Sequence, residues 1–524
     1  MGNIKSAWLS IFSSILLAAA FPSWDMGFVA WIALVPLLVA LAGRSPLEGF
    51  VLAYVFGMLF LAGIFHWILQ IPYYRWYHHL LLAVYFGLYP ALFGLALGFI
   101  SKRLGKTPAL WAAPFLWVAL EYLRGNFFFL ALPWGLIGHS QHRYPAVIQI
   151  AALFGTYGIS FLIVLVNAAF GAAVLIGTKF VRHQIDGTHG AAFKKADLAL
   201  PILALLGIAG ALLYGSLVAG RPISGEAVRV AMVQGNIEQA KKWDPRFADQ
   251  ILQAYADLTL RAANDQPELI IWPETAVPGS ISLDPDIHDR LKALVAETAI
   301  PLLVGSARHQ KFQEADGKRL RPMNSAFLLL PGNEKPELQQ YDKIRLFPFG
   351  EYLPCKNIIP WQWIRVSSLS EYVAGRRHFV FRLAGHRFAV TICWENIFPD
   401  LVRQFVKNGA DFMVNITNEA RFGRTAAPYQ LAAISVFRAV ENRRFVIRCA
   451  NTGITCIIDP CGRVTAQLET EDGRQLFVRG VVSEKIFPLD TQTLYTRYGD
   501  VVVALCFAVV LIFLTLAWMK NVSH

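Results

Sequence analysis

Metal-binding patterns are missing from this sequence. None of its six cysteines forms a CxxC pair, and its twelve histidines are scattered, with no HExxH and no His/Cys cluster. Zinc sites need such ligands at short, fixed spacing, so no metal or other cofactor is expected. Cys456 and Cys461 flank Ile457-Ile-Asp-Pro460, a strand end and turn, where a structural disulfide or a chance pair fits better than a metal site. Charge is also scarce. Lys, Arg, Asp and Glu make up 16% of 524 residues against 55% hydrophobic residues, and mean hydropathy is +0.43. That balance excludes an ordinary soluble enzyme and suits a chain with several membrane spans. The formal charge is +12, yet no basic run is interleaved with aromatics as a strand-binding groove requires, so nucleic acid is not an expected partner. The length exceeds one ordinary core, and at least two domains are expected.

What is present begins with apolar segments. Seven occur, near residues 7 to 22, 25 to 43, 49 to 71, 79 to 101, 107 to 123, 145 to 177 and 198 to 218. Each approaches the ~20 residues a helix needs to cross a bilayer. The sixth is overlong and carries Gly155, Gly158 and Gly171, which predicts tilt, a kink or a short preceding helix. An eighth runs from Val501 to Trp518 and is closed by Lys520. The first lacks a convincing small-residue cleavage site and more spans follow it, so it is read as a retained span rather than a signal peptide. Alternate loops and ends carry Lys5, Arg44, Lys102, Arg103, Lys106, Lys179, Arg182, Lys194, Lys195 and Lys520, with Asp186 among their few acidic residues; the opposite short loops carry only Arg75, Arg124 and Arg143. The positive-inside rule then places both termini in the cytoplasm and the long interval between segments seven and eight outside. Glu121-Tyr-Leu-Arg-Gly125, with Leu132-Pro-Trp-Gly135 and Gly138-His-Ser-Gln141 after it, puts charge at a membrane boundary. It reads either as a helix-end salt bridge with an aromatic belt or as a wall of a lipid or substrate access.

The domains expected are therefore 1–219, with seven membrane helices, 220–490, a soluble α/β domain, and 491–524, a closing helix with a short tail. In the soluble part, β-rich apolar runs alternate with amphipathic helical stretches, which implies sheets covered by helices. Strands are expected at Val228–Val233, Leu269–Trp272, Pro301–Gly305, Ser325–Leu330, Phe412–Ile416, Phe445–Cys449, Ile454–Ile458 and Gln475–Gly480. Phe388-Ala-Val-Thr-Ile-Cys-Trp-Glu-Asn396 is a further buried strand that delivers Cys393 at its end. A strand running into a sharp turn presents a side chain at the rim of a sheet, with the following N–H groups aimed at whatever it attacks. Taken alone, Cys393 also reads as one more small buried hydrophobe.

Two further stretches put reactive groups at strand ends. Ile271-Trp-Pro-Glu-Thr275 leaves Glu274 after a terminating proline, and Tyr341-Asp-Lys-Ile-Arg345 carries Lys343 ahead of Phe347-Pro-Phe-Gly-Glu-Tyr352. A carboxylate, an ammonium and a thiol together can transfer acyl groups: the base takes the thiol proton and the cation steadies thiolate and oxyanion.

WPE, a distant lysine followed by PFGE, and C-[aromatic]-E, in this order, resemble the nitrilase superfamily. With the membrane half, nearly the whole chain resembles the apolipoprotein N-acyltransferases, which add the third acyl chain to bacterial lipoproteins. Val233-Gln-Gly-Asn-Ile237 with Lys242-Trp-Asp244, Asn415-Ile-Thr-Asn418 and Ala450-Asn-Thr-Gly453 carry the likeness further. The resemblance implies a nitrilase-like αββα sandwich on a multispan α-helical membrane domain. It makes Cys393 the nucleophile, Glu274 the general base and Lys343 the oxyanion stabiliser, with Glu351, Trp394 and Glu395 accessory and Trp243, Asn418 and Arg421 near the substrate. The donor it implies is a phospholipid, the acceptor a diacylglyceryl-modified apolipoprotein, and the place a bacterial inner membrane with the catalytic domain periplasmic. Arg421 departs from the pattern, which usually has an aromatic there; a guanidinium at that point either meets a phosphate headgroup or marks a variant loop, and the first is preferred. Two other readings remain: a membrane-tethered nitrilase-like amidase and a non-catalytic binding protein.

Overall fold

The computed structural model describes residues 2–72, 74–185, 195–314, 317–332, 339–364 and 371–522. Asp186 and Lys194 of the orientation argument lie outside them. The chain divides into two compact units, Met1–Arg221 with Tyr498–His524, and Pro222–Arg497.

In the first unit, five helices among the described residues are long and apolar enough to cross a membrane: Pro46–Ile64, Trp76–Leu104, Ala151–Thr178, Leu198–Ala219 and Val501–Lys520. Of the other three expected spans, the first forms the helix Gly2–Ala19, whose described apolar part is shorter, and the second and fifth depart for local reasons. Residues 25–43 break into Gly27–Val29, Ala30–Ala33 and Val35–Leu41, with Pro36 just past the break. Asn167, on the long helix Ala151–Ile185, repairs it, accepting from Leu34 N (2.8 Å) and donating to Ala30 O (2.9 Å). Backbone groups freed in an apolar setting need such partners. The sixth span is both kinked, at Gly155 (φ 67°), and preceded by a short helix, Pro145–Ile148. The fifth is the helix Lys106–Asn126, whose Glu121 and Arg124 are buried. These two do not form the helix-end salt bridge: Arg124 donates to Trp134 O (2.7 Å) and Gly135 O (3.1 Å), and Glu121 accepts from Ile137 N (2.7 Å). They brace the following loop instead.

The helices Pro46–Ile64 and Trp76–Leu104 form a tight hairpin. Ser45 and Glu48 cap the first reciprocally, with Pro46 at its first position. A Cβ on Gly49 would stand 2.3 Å from Gly94 O, and one on Gly94 would stand 2.1 Å from Gly49 O. Only glycine lets the two backbones approach this closely.

The second unit holds two six-stranded sheets. In one the order is β12-β1-β2-β3-β4-β5, with β1 Val228–Gln234, β2 Leu269–Ile271, β3 Leu302–Glu314, β4 Gly317–Leu329, β5 Gln339–Asp342 and β12 Gly480–Ile486. In the other it is β11-β10-β9-β8-β7-β6, with β6 Val380–Leu383, β7 His386–Ile392, β8 Phe412–Thr417, β9 Val446–Ala450, β10 Cys456–Ile458 and β11 Val464–Gln467. The central strands β1, β2, β3 and β7, β8, β9 run parallel, and antiparallel strands flank them. Parallel strands are covered on both faces and so read as continuous apolar runs.

The helices Ala248–Ala263 and Pro285–Thr298 pack Leu252, Tyr255, Leu258, Leu291 and Leu294 on Ile270, Trp272, Val304 and Phe327 of the first sheet. Pro399–Lys407 and Ala426–Asn442 bury their apolar faces beside the second. Between the sheets, the Cys449 thiol donates to Ile271 O at 3.3 Å. The result is the αββα sandwich. The strand expected at 475–480 is displaced to β12, because Phe477 sits in a turn (φ 57°) whose N–H bonds Thr452 O. The hairpin β3–β4 extends well past its apolar core, and its polar outer half gave no strand signal. All six cysteines are free, so Cys456 and Cys461 form no disulfide.

Candidate active site

β7 feeds Cys393 into a left-handed conformation (φ 58°), followed by the short helix Cys393–Ile397. Such a backbone costs about 1–3 kcal/mol for a residue with a Cβ and persists only where surrounding bonds impose it. Two side chains impose it here. Asn415 on β8 donates to Cys393 O (3.1 Å) and Thr391 O (3.1 Å). Glu395 accepts from Ile392 N (2.8 Å) and, across the site, from Ile344 N (2.7 Å), Arg345 N (2.9 Å) and the Tyr341 hydroxyl (2.8 Å). Glu395 therefore ties the strand of Cys393 to the loop of Lys343. Behind Asn415 lies a buried ion pair: Arg448 donates to Asn415 Oδ1 (2.8 Å) and bonds Glu419.

Glu274 stands one turn past β2, before Thr275, itself left-handed (φ 46°). Trp272, fully buried and stacked on Tyr255 at 4.8 Å, anchors that turn. Glu274 accepts from Asn324 Nδ2 (2.8 Å) and Asn418 N (2.8 Å). Lys343, 1% exposed, follows β5; its Nζ lies 2.9 Å from Glu351 Oε1 and 3.6 Å from Glu274 Oε1. Glu351 also accepts from Asn324 Nδ2 (3.0 Å) and Phe347 N (2.7 Å).

Burial pushes the Cys393 thiol up to about 12, Glu274 and Glu351 add to that, and Lys343 opposes it. Burial works against the Lys343 ammonium, but Glu351, Cys393 and Glu274 outweigh it and hold its pKa above the ordinary lysine value. The resting site is thus a protonated thiol facing carboxylates and one firmly charged lysine. Glu395 is pushed up to about 7 by burial, against the hydrogen bonds it accepts.

Trp394 donates its indole N–H to Arg345 O (2.6 Å) and packs edge-on against Phe347 and Phe398, each at 5.0 Å. Its main-chain N–H belongs to the first turn of Cys393–Ile397, where helical N–H groups lack intrahelical partners. Trp243, Asn418 and Arg421 converge on the Gln239 amide: Asn418 Nδ2 lies 3.0 Å from it, and in its other orientation its oxygen accepts from Trp243 Nε1 (2.9 Å) and Arg421 Nε (3.3 Å). The structure thus brings every expected residue into one neighbourhood. Sequence reasoning missed Asn324, which lies inside β4 with no motif around it, and the side-chain roles of Lys242, Asn415 and Arg448. Lys242 and Asn415 stand in stretches that carried the likeness, but nothing in their spacing told which way they point.

A carboxylate, a lysine and a cysteine on strand ends of an αββα sandwich, in a chain that also bears membrane-length helices, define a membrane-bound protein of the carbon-nitrogen hydrolase class. Residues 229–486 match the model of the Carbon-nitrogen hydrolase family, and residues 13–169 that of the Apolipoprotein N-acyltransferase N-terminal domain. The apolipoprotein N-acyltransferase of Geobacter metallireducens is 35% identical over 525 residues, 98% of this chain and 96% of its own. Those of Chlorobaculum tepidum (31%; 96% of this chain and 95% of its own) and Methylococcus capsulatus (29%; 96% of each) are also similar. The chain belongs to the apolipoprotein N-acyltransferase family and is an acyltransferase.

Proposed function

We propose that this protein transfers an acyl chain from a membrane phospholipid, through a Cys393 thioester, to the α-amine of the diacylglyceryl-cysteine that begins an apolipoprotein. The observation that carries the reading is the Glu274–Lys343–Glu351 cluster acting on a thiol held in a strained turn at a strand end. Glu274 takes the thiol proton as sulfur attacks the ester carbonyl. Lys343 and the Trp394 N–H steady the oxyanion; one such donor is worth ~100 to 1,000-fold in rate. The carbon–oxygen bond to glycerol breaks, the proton passes from Glu274 to the departing alkoxide, and a lysophospholipid leaves. The acceptor nitrogen then attacks the thioester, the carbon–sulfur bond breaks, and a proton from the amine returns to sulfur. Every atom and proton is accounted for without a metal or cofactor.

Glu351 orients Lys343, and Glu395 holds the loop of Lys343 to the strand of Cys393. Trp243, Asn418 and Arg421 form the substrate-side wall, with Arg421 meeting the phosphate headgroup. If it does, Arg421→Trp changes which phospholipid headgroups serve as donors; an unchanged preference removes that role. Residues 1–219 and 491–524 keep the site at the bilayer, and 220–490 carry the chemistry. The positive-inside bias supports an inner-membrane protein with both termini cytoplasmic and the catalytic domain periplasmic.

The test is incubation with acyl-labelled phospholipid. The expected result is a hydroxylamine-labile label on Cys393 that is discharged only when a diacylated lipopeptide is added. Discharge by water alone makes the protein an amidase-like hydrolase, and no label makes it a binding protein.

A further inference from the structure

Lys242 is a second lysine at this site, outside the triad. It ends the short helix Gln239–Lys242, is 5% exposed, and donates to the main-chain oxygen of Glu274 at 2.9 Å. An ammonium carries three donors. This one meets a single neutral carbonyl, and no carboxylate among the described residues lies within ion-pair distance of it. Lys343 stands against two carboxylates and is held charged. The two buried lysines flanking Glu274 are therefore in opposite electrostatic settings.

The titratable groups facing Lys242 are Glu274 after β2, Cys393 after β7 and Arg421 on the 420–422 turn. Burial brings its pKa down to about 7, Glu274 and Cys393 resist that, and Arg421 adds to it. The Cys393 thiol is protonated at rest and a thioester sulfur carries no charge, so in both states Lys242 has one neutral carbonyl partner and no carboxylate within ion-pair distance among the described residues.

An amine acceptor gives such a lysine a use. An α-amine has a pKa of about 8 and arrives in neutral water largely as an ammonium, without a lone pair. It carries two protons more than the amide nitrogen it becomes. One returns to the Cys393 sulfur, and the other needs a second base. The first half-reaction has no such surplus, because the thiol proton leaves with the lysophospholipid alkoxide.

We propose that Lys242 is the proton acceptor of the second half-reaction: neutral in the acyl-enzyme, it takes the surplus proton of the incoming α-ammonium beside Glu274 and afterwards gives it to solvent. The inference rests on the acyl-transfer reading above. It also explains how one site serves both half-reactions: Glu274 shuttles the thiol proton, and Lys242 takes the extra proton that only the amine acceptor brings.

The test uses the full-length protein in lipid nanodiscs and measures two steps apart, thioester formation from labelled phospholipid and discharge to a diacylated lipopeptide between pH 6 and 9. The wild-type discharge rate is expected to show a limb near pH 7. In Lys242→Met the ratio of discharge to acylation rate should fall by ~100-fold, with the remaining rate following only the acceptor's own amine. Lys242→Arg keeps a cation at the Glu274 carbonyl but cannot become neutral, so the loss should persist. Restoration of discharge by arginine, or an equal fall in both steps with an unchanged pH profile, means that Lys242 merely braces Glu274 and overturns the proposal. Failure of the wild-type protein to form any thioester overturns the acyl-transfer reading instead.

Discussion

At the scale of single residues, the site works by opposing charges held out of water. Because the Cys393 thiol is pushed up to about 12, its thiolate fraction falls about tenfold for each unit below that value. Alkylation of Cys393 by iodoacetamide in the resting enzyme should therefore keep rising, about tenfold per pH unit, from pH 7 to 10. A plateau near 8.5, where a free cysteine titrates, contradicts this. Lys343 opposes the upward push, so Lys343→Met should slow alkylation further at every pH. Glu395 makes a different kind of contribution. Both its oxygens accept, from three main-chain N–H groups and one hydroxyl. In Glu395→Gln the amide nitrogen must face at least one of those donors. The expected cost is about 1–3 kcal/mol, read as a lower thermal midpoint in detergent. An unchanged midpoint means that the carboxylate is not what joins the two segments.

At the scale of elements, close approaches of backbone set the geometry. Gly305 on β3 underlies the turn of Glu274: a Cβ there would stand 2.5 Å from Pro273 O and 2.6 Å from Thr275 N. Gly305→Ala must push that turn outward, and with Glu274 as the proposed base a displacement of even 1 Å costs about 100-fold in rate. Acylation of Cys393 should fall on that order while the protein still folds; activity within threefold of wild type refutes the argument. In the membrane unit, Gly94→Ala wedges the Pro46–Ile64 and Trp76–Leu104 hairpin at Gly49 O. It should lower the thermal midpoint without changing the pH profile of acylation. The strands themselves were legible where burial was complete. β1, β2, β7, β8 and β9 read as apolar runs because both faces are covered. β5, β6 and β11 are short strands with exposed or half-buried positions, and the polar half of the β3–β4 hairpin has no periodic apolar face to announce it. The helix breaks at Leu34 and Gly155 could be suspected from Pro36 and the glycines, but Asn167, which satisfies the first, is 131 positions beyond Pro36 in the chain.

For the whole molecule, the orientation argument makes one claim that can be checked directly. With Lys520→Cys and Glu471→Cys each introduced into a protein lacking its accessible native thiols, a membrane-impermeant maleimide applied from the periplasmic side should label position 471 and spare position 520. Labelling of both or the reverse pattern overturns the assigned topology. The amino-acid sequence by itself determined which segments favour lipid, where the basic residues fall, and which cysteine, glutamate and lysine stand at strand ends. These are read from neighbours only a few positions apart, while the roles given to the three residues came from a family resemblance. Only the tertiary structure decided the rest. It showed that Glu395 is a tie between two loops, that Asn324 bridges Glu274 and Glu351, and that Lys343 is surrounded by carboxylates while Lys242 meets only a carbonyl. The physical reason is that the charge state of a buried group depends on what desolvates it and what faces it. Those partners come from other strands and turns, brought together by the packing of two sheets.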